Sequence, residues 1–409
     1  MSETQEVDIV RLGSQGDGVA DGPSGPLYVP RALPGERWRI GPAEGAPVLI
    51  SAPAPRREPV CRHFGRCGSC MAQHMPADLY AEWKRSIVQD AFAHRGIEAG
   101  VAPLVRVGLH SRRRAFLGVE RQGRRVVIGF REEGQHTLVD MAECPVLDRA
   151  LVALLPHLRD MAVLAMPAGV GGRLVVTLTA GGPDVSFDNG HRALTPEAQS
   201  RLAELSAGAR LARLTVHGEP IVERARTSIT CGSVAVDVPQ SLFLQAVPEA
   251  ERHLVDLVTA ALPKKAKRVA DLFSGLGTFT FPLARRVQVL AVDSDRRAIA
   301  ALASAARHAR GLKPIEARVR DLFREPMSAR ELDPFDCVVL DPPRAGAQEQ
   351  AERIANSKVP VVIAVSCAPA TLARDARILI DGGYTMGPVT PVDQFLFTPH
   401  VEAVAVFRR

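Results

Sequence analysis

The chain has few aromatic side chains, little excess charge and no long apolar run. Phe, Tyr and Trp make up 5% of its 409 residues, which argues against an interface built on many stacked bases, although a single flipped base is compatible with that share. The formal net charge is +6, so charge alone identifies no partner. No stretch reaches the roughly 18 apolar residues that a membrane-spanning helix needs, and the amino terminus lacks the pattern of a secretory signal. We therefore expect a cytoplasmic protein with no membrane partner.

Disulfide bonds are also unexpected, because the chain has an odd number of cysteines, seven in all. Cys61, Cys67 and Cys70 lie within ten residues of one another. Two cysteines separated by two residues can bind one metal ion. With two more thiolates they form an all-sulfur site that suits zinc or an iron-sulfur cluster. Cys144, in the segment AECPVL, is the predicted fourth ligand.

Three sequence patterns follow one another along the chain and predict an α/β domain preceded by two β-rich parts. Residues 1–53 form short alternating runs broken by Gly and Pro, typical of a small β-barrel. Residues 54–240 contain a helical pattern at 76–96 and are otherwise β-rich, with a hairpin predicted around Gln122-Gly123. Residues 241–409 alternate apolar strands with helical segments, which indicates a doubly wound parallel sheet.

The first strand of the carboxyl-terminal part leads into a glycine-rich turn. Asp271 is followed by Gly275 and Gly277, and glycine lets a backbone turn sharply and approach a ligand at the start of the next helix. Asp293 ends the next strand, where a carboxylate can accept hydrogen bonds from both hydroxyls of a ribose. Nicotinamide dinucleotides and S-adenosylmethionine both use this geometry. Thr280 stands where a nicotinamide site has its third glycine, which favours S-adenosylmethionine.

Three more strand ends carry side chains that could do chemistry. One strand ends in Asp341 and two prolines, followed by Arg344, at the edge where open α/β sheets bind ligands. The next delivers Cys367, whose thiolate could attack an electrophilic carbon beside the cofactor. Glu402 opens the last strand and could serve as a general base. Each also has a structural interpretation, as a strand terminator, a small core residue or a polar residue at a strand start.

The chain at these positions resembles the S-adenosylmethionine-dependent RNA (uracil-C5)-methyltransferases. The matching segments, in the family's order, are SLFLQAV (241–247), DLFSGLGTFTFPLA (271–284), LDPPRAGA (340–347), AVSCAPATLARD (364–375) and DQFLFTPHVEAV (393–404). The resemblance implies a Rossmann-like class I methyltransferase domain, S-adenosylmethionine as cofactor and RNA as partner. The chain departs from the family pattern at Val247 and Ala368, where Asn is usual, and at Asp293, where Glu is more usual.

The resemblance also implies a role for each matching residue. Cys367 would add to C6 of uracil, C5 would take the methyl group, and Glu402 would remove the C5 proton so that the enzyme is released. The positions that match cofactor contacts are Gln245, Asp271, Phe273, Gly275, Gly277, Asp293 and Asp341. Those that match contacts to the uracil or the flipped base are Phe243, Gln245, Asp341 and Arg344. This chemistry requires the uridine to leave any base stack first.

Two amino-terminal segments resemble parts of particular family members. The segment CRHFGRCGSCMAQH (61–74) and the later Cys-Pro resemble the 4Fe-4S motif of the rRNA-modifying branch, with Ser69 in place of a usual glycine. The resemblance implies a cluster held by Cys61, Cys67, Cys70 and Cys144. Residues 5–50 resemble a TRAM domain, which is an OB-like, RNA-binding β-barrel.

Together these features predict a monomeric enzyme that makes 5-methyluridine in 23S rRNA. The closest alternative is the same chemistry on the T-loop of tRNA. More distant alternatives are an RNA-binding protein without catalysis and a nicotinamide-dependent dehydrogenase with a structural zinc. The arginine runs 112–114 and 124–125 are interpreted either as phosphate contacts or as ordinary solvated surface.

Overall fold

The computed structural model describes residues 5–41, 47–53 and 56–409, so residues 1–4 and 42–46 of the predicted barrel lie outside it. Six short strands occupy the described amino-terminal part: β1 (Gln5–Asp8), β2 (Arg11–Leu12), β3 (Gly18–Gly22), β4 (Gly25–Val29), β5 (Arg37–Ile40) and β6 (Val48–Ser51). They form two antiparallel sheets, ordered β1-β5-β6 and β2-β3-β4. The two sheets share a small core that includes Val7, Val29 and Trp38.

The central region combines a long helix with a mixed sheet and three further helices. Its elements are α1 (Ala77–Ala93), β7 (Arg114–Gln122), β8 (Arg125–Gly129), α2 (Arg149–Ala153), α3 (Leu155–Ala165), β9 (Gly171–Thr179), β10 (Gly182–Phe187), α4 (Pro196–Gly208), β11 (Arg213–Val216), β12 (Glu219–Glu223), β13 (Ser228–Cys231) and β14 (Val234–Asp237). Six strands pair in the order β12-β11-β10-β9-β7-β8, and β13 pairs with β14. The predicted hairpin is confirmed as β7 and β8, with Gly123 at a φ of 63° in its turn.

The carboxyl-terminal region is a twisted sheet covered by helices. Its elements are α5 (Pro248–Ala261), β15 (Arg268–Leu272), α6 (Thr280–Ala284), β16 (Gln288–Asp293), α7 (Arg296–His308), β17 (Ile315–Val319), α8 (Ala329–Leu332), β18 (Cys337–Leu340), α9 (Gln348–Ala355), β19 (Val361–Ser366), α10 (Pro369–Asp381), β20 (Thr385–Met386), β21 (Thr390–Val392) and β22 (Glu402–Arg408). The sheet order is β17-β16-β15-β18-β19-β22-β20, and β21 pairs with β22. The first five strands are parallel and β22 is antiparallel to β19. The predicted α/β fold class is confirmed.

This topology brings the predicted site residues to one edge of the carboxyl-terminal sheet. The buried strands β18 and β19 are uninterrupted apolar runs up to their carboxyl ends, as expected for strands covered on both faces. Asp341 and Cys367 follow those ends directly, and Asp293 ends β16. Because β22 runs the other way, its first residue, Glu402, lies at the same edge.

Helix α1 precedes the central sheet in sequence but packs against α10 of the carboxyl-terminal region. Val88 and Phe92 join the same core as Leu372 and Ala376 of α10, and the Trp83 indole N–H donates to the Gly13 carbonyl at 2.9 Å. Packing therefore crosses the boundary predicted at 240, which stays a prediction. At 17 residues, α1 is the longest helix of the described ranges, and none of their helices is long and apolar enough to cross a membrane.

Candidate active site

The turn after β15 keeps open space beside its backbone. Phe273, Gly275 and Gly277 all have positive φ, at 63°, 52° and 93°. A Cβ on Gly277 would lie 2.7 Å from the Phe281 ring, so no larger residue fits there without rearrangement. A Cβ on Gly275 would meet nothing within 4 Å. The turn therefore leaves room for a ligand directly above Gly275.

Two carboxylates flank this space. Asp271 is buried, accepts a hydrogen bond from the Thr280 hydroxyl through Oδ2, and has no partner for Oδ1 among the described residues. Burial raises the pKa of Asp271 to about 7. Asp293 accepts from the backbone N–H of Gly275 at 2.9 Å and of Asp295 at 2.8 Å, which holds it facing the turn. An orphaned buried oxygen costs free energy unless a ligand satisfies it, so this edge fits a polar cofactor.

A continuous chain of hydrogen bonds crosses the neighbouring strand ends. Gln245 Nε2 donates to Asp341 Oδ2 at 3.2 Å, Gln394 Nε2 donates to Gln245 Oε1 at 2.8 Å, and Gln394 Nε2 also donates to Glu402 Oε1 at 3.0 Å. Cys367 lies close enough to Asp341 and Glu402 for both to affect its ionisation. The structure thus brings together Gln245, Asp341, Cys367 and Glu402, as predicted, and adds Gln394. Gln394 belongs to the matching segment 393–404, but nothing in the sequence indicates a role for it.

Burial controls the charge of the proposed base and nucleophile. It raises the pKa of Glu402 to about 7, against the opposing effects of the Gln394 hydrogen bond and the Arg344 charge. It also raises the pKa of the Cys367 thiol to about 11, with Glu402 and Asp341 adding to the effect and Arg344 opposing it. Glu402 Oε2 has no hydrogen-bond partner among the described residues. A carboxylate with this pKa and a free oxygen is suited to accept a proton near neutral pH.

Phe243 lies in solvent beside this network, with 73% of its surface exposed. The segment that carries it is held by two arginines of the 112–114 run. Arg113 donates through Nε to the Gln245 carbonyl at 3.1 Å and also pairs with Glu251. Arg114 is buried and donates to the Leu242 carbonyl. These two arginines are therefore neither phosphate contacts nor solvated surface, because the protein's own backbone and carboxylates occupy them.

The segment 393–400 is anchored by a buried ion pair. Lys84 of α1 contacts Asp393 Oδ1 at 2.8 Å, and both side chains are fully buried. Lys84 Nζ also donates to the carbonyls of Phe395 and His400, while the Tyr80 hydroxyl donates to Asp393 Oδ2 at 2.7 Å. Helix α1 thus fixes the segment that leads from Gln394 to Glu402. The helical pattern at 76–96 gives no sign that Lys84 is buried in an ion pair.

Loss of the lysine should destabilise the protein strongly. In Lys84→Met, Asp393 keeps a buried charge without its cation, so we expect the free energy of unfolding to fall by about 3–5 kcal/mol. Chemical denaturation followed by circular dichroism measures this. Arg226 pairs with Asp237 at the surface, so Arg226→Met is the matched control and should leave stability unchanged. Equal, small effects of both substitutions would contradict the anchoring role.

The four cysteines of the predicted metal site line one cavity. Cys61, Cys67, Cys70 and Cys144 surround it together with Phe64, Phe130 and Met141, and all four are free thiols. Burial raises the pKa of Cys70 to about 12, and the three neighbouring thiols add to the effect. Such mutual repulsion between thiolates is relieved by a cation. Within the described ranges, however, no group of three or more His, Cys, Asp or Glu side chains has the geometry to hold a metal ion.

A family model now identifies the chain. The model described as tRNA (Uracil-5-)-methyltransferase matches residues 197–409, more than half of the sequence. The chain belongs to this family. A relative from Brucella suis biovar 1, named as an RNA methyltransferase, is 44% identical over 100% of this chain and 99% of its own length. The 23S rRNA (uracil(1939)-C(5))-methyltransferase RlmD of Chromohalobacter salexigens is 33% identical over 98% of this chain and 89% of its own length.

A solved structure shows the same fold. The Pyrococcus abyssi tRNA (uracil-54, C5)-methyltransferase, in complex with S-adenosyl-L-homocysteine, aligns with a TM-score of 0.77 at 24% sequence identity. The alignment covers 98% of this chain and 100% of that one. Family membership confirms the prediction of an S-adenosylmethionine-dependent RNA (uracil-C5)-methyltransferase. The dehydrogenase alternative is thereby excluded.

Proposed function

We propose that the enzyme methylates C5 of a uridine in 23S rRNA through a covalent bond between Cys367 Sγ and C6 of the base. The observation that carries the proposal is the meeting of Cys367, Glu402 and the Gln245–Asp341 pair at one sheet edge, beside the open turn at Gly275. C5 of uracil is a poor nucleophile because it belongs to a conjugated ring. A nucleophile that adds at C6 makes C5 electron-rich.

Cys367 and Glu402 then each have one role in the reaction. The Cys367 thiol, which its pKa of about 11 keeps protonated at neutral pH, gives its proton to solvent as Sγ bonds to C6. The electrons of the former C5–C6 double bond then let C5 attack a methyl carbon. When bound, S-adenosylmethionine would supply that methyl group from its sulfonium and leave as the neutral thioether S-adenosylhomocysteine. Glu402 takes the proton from C5, the C5–C6 double bond re-forms, and Sγ leaves as thiolate. The carboxylate of Glu402 must be ionised for this step, and its pKa of about 7 allows that at neutral pH.

The turn after β15 supplies groups that fit the cofactor. Gly275 leaves space for it, Asp271 Oδ1 lacks a partner, and Asp293 faces the same turn. A strand-end carboxylate there can bind ribose hydroxyls. Phe273, whose ring lies 5.5 Å from that of Phe323, adds an apolar wall. We assign Asp271, Phe273, Gly275, Gly277 and Asp293 to cofactor binding.

The hydrogen-bond network at the neighbouring strand ends provides groups that can bind the uracil base. Gln245 and Asp341 present amide and carboxyl groups that can pair with the edge of a uracil, and the exposed Phe243 can stack on an extruded base. Arg344, which acts on the charge of both Cys367 and Glu402, is placed to contact the same nucleotide. Arg124 and Arg125 are exposed at the hairpin and remain candidates for phosphate contacts.

Two observations bear on which RNA is the substrate. The Chromohalobacter salexigens relative acts on 23S rRNA and is 33% identical to this chain, which favours rRNA. The Pyrococcus abyssi enzyme acts on tRNA and shares the fold over 98% of this chain. The amino-terminal strands therefore do not by themselves distinguish the two substrates, and tRNA is the second candidate.

Labelling separates the two candidates. The enzyme is given methyl-labelled S-adenosylmethionine with unmodified 23S rRNA and, separately, with unmodified total tRNA. We expect label at one uridine of the rRNA, recovered as 5-methyluridine after digestion. Label confined to tRNA would overturn the choice of substrate while leaving the chemistry intact. Label at a position other than C5 would overturn the chemistry.

We further propose that Cys61, Cys67, Cys70 and Cys144 hold a 4Fe-4S cluster. Four free thiols around one cavity support a sulfur-bound centre. A single zinc ion would need the thiols gathered about one point, whereas a cluster separates them by its own iron and sulfide atoms. The loop beyond Cys70 donates from Met71 N to the Phe397 carbonyl at 2.9 Å. A cluster would therefore fasten a loop that supports the segment leading to Glu402.

Iron analysis tests the cluster. Protein purified without oxygen should contain about four iron atoms and four sulfides and absorb visible light. We expect Cys67→Ser to lose most of that iron. Cys337 is buried in β18, away from the cavity, so Cys337→Ala is the matched control and should retain it. A colourless wild-type protein that carries zinc would contradict the proposal.

A further inference from the structure

Gln394 links Glu402, the proposed general base, to Gln245, which is assigned to the uracil. Its side chain is buried, and both of its amide functions are used. Nε2 donates to Gln245 Oε1 at 2.8 Å and to Glu402 Oε1 at 3.0 Å. Oε1 accepts from the Val247 backbone N–H at 3.4 Å. Because that N–H can only donate, it determines which end of the amide faces the carboxylate.

We infer that Gln394 is a positioning residue that stabilises the ionised form of Glu402, leaves its second carboxylate oxygen free to face the uracil and orients Gln245. The inference rests on the proposed function, since it concerns the base of that reaction. Gln394 occupies Oε1 of Glu402, which leaves Oε2 as the oxygen without a partner among the described residues. Oε2 is therefore the atom that receives the C5 proton.

The same amide determines the orientation of Gln245. Because Gln245 Oε1 accepts from Gln394, its Nε2 is turned towards Asp341 Oδ2. Val247 stands where the family pattern has Asn and contributes only its backbone N–H to this network. The side-chain amide that faces Glu402 in this network therefore comes from Gln394.

Gln394 is itself held from outside the site. Its neighbour Asp393 is fixed by Lys84 and Tyr80 of α1. The amide therefore has an anchor independent of bound RNA, and it can stabilise the ionised form of Glu402 before the substrate arrives. A hydrogen bond to a charged acceptor is worth more than one between neutral groups, so its loss should favour the protonated acid.

The pH dependence of kcat/KM provides the test. Glu402 must be ionised to act, so activity should fall below an apparent pKa near 7 in the wild type. The charged and titratable groups around Glu402 are Asp341, Cys367 and Arg344, and they are unchanged in a Gln394 variant. In Gln394→Met the acid limb should move to higher pH by about one to two units, with kcat lowered about tenfold or more at pH 7.

Two variants separate positioning from a general structural role. Gln350 is a buried glutamine whose amide bonds to the Met327 backbone, outside the site, so Gln350→Met should leave the acid limb where it is. Gln394→Glu keeps the size of the side chain but places a second carboxyl against Glu402, and should move the limb at least as far as Gln394→Met. It also serves if the methionine variant does not fold.

Failure of the inference and failure of the proposed function give different results. An active enzyme whose acid limb is the same in the wild type, Gln394→Met and Gln394→Glu would overturn the positioning role alone. A wild-type protein that transfers no methyl group to C5 of uridine in any RNA would overturn the proposed function on which the role rests.

Discussion

Replacement of Cys367 by alanine should abolish methyl transfer, with kcat lowered by at least about 10⁴-fold. Without the thiolate nothing adds to C6, and C5 stays part of the conjugated ring. The groups assigned to the cofactor, at the turn after β15, are untouched by the substitution. Binding of S-adenosylmethionine, measured by calorimetry, should therefore be unchanged, and RNA should still bind in a gel-shift assay.

The matched control is a buried cysteine outside the site. Cys231 is fully buried in β13 and is not a part of the site, so Cys231→Ala should retain turnover. Retained methylation in Cys367→Ala would eliminate the covalent mechanism. Loss of RNA binding together with activity would instead indicate a role for Cys367 in the fold.

Replacement of Glu402 by glutamine should stop the reaction one step later. The thiolate can still add and C5 can still take the methyl group, but the amide cannot remove the C5 proton, so Sγ is not released. We expect kcat to fall by about 10²–10⁴-fold and a protein–RNA complex to survive denaturing electrophoresis. Methyl label from S-adenosylmethionine should migrate with that complex.

The double variant controls for trapping by other residues. Cys367→Ala combined with Glu402→Gln should give no denaturation-resistant complex, because the bonding atom is absent. Free turnover in Glu402→Gln would show that a different group takes the proton. A persistent complex in the double variant would show that the bond is not made by Cys367.

The sequence predicts the positions of those site residues that lie at the ends of apolar strands. Strands such as β19 are uninterrupted and fully buried, and their hydrophobic runs predict both a parallel sheet and the edge at which it binds ligands. Asp271, Asp341 and Cys367 therefore lie where the pattern predicts. Glu402 lies at this edge only because β22 runs antiparallel to β19, and no local pattern in the sequence indicates that direction.

The supporting contacts were not predictable in the same way. Lys84 and Phe395 are separated by 311 positions along the chain and meet only in the folded protein. No local pattern distinguishes Lys84 from a solvated lysine, since burial of a lysine depends on a distant partner. In the linear sequence, the run Arg112 to Arg114 suggests phosphate binding. In the folded protein, Arg113 and Arg114 instead donate to the backbone of the segment that carries Phe243.

Two helices of the central region are also not predictable from the sequence pattern. Outside the helical pattern at 76–96, the sequence predicts that residues 54–240 are β-rich, and they do form two sheets. The helices α3 and α4 were not predicted there. Each has 11 to 13 residues, and α3 has an apolar face that is hard to separate from neighbouring strand patterns. Packing of that face against the sheet decides the structure.

The covalent mechanism is tested most directly by an RNA that carries 5-fluorouridine in place of uridine. Glu402 cannot remove fluorine from C5 as it removes a proton, so the reaction should stop at the methylated adduct. After digestion, mass spectrometry should find a methylated fluorouridine nucleotide on the peptide that contains Cys367, and only when S-adenosylmethionine was present. The absence of an adduct on an otherwise active enzyme, or an adduct on any other residue, would contradict the mechanism.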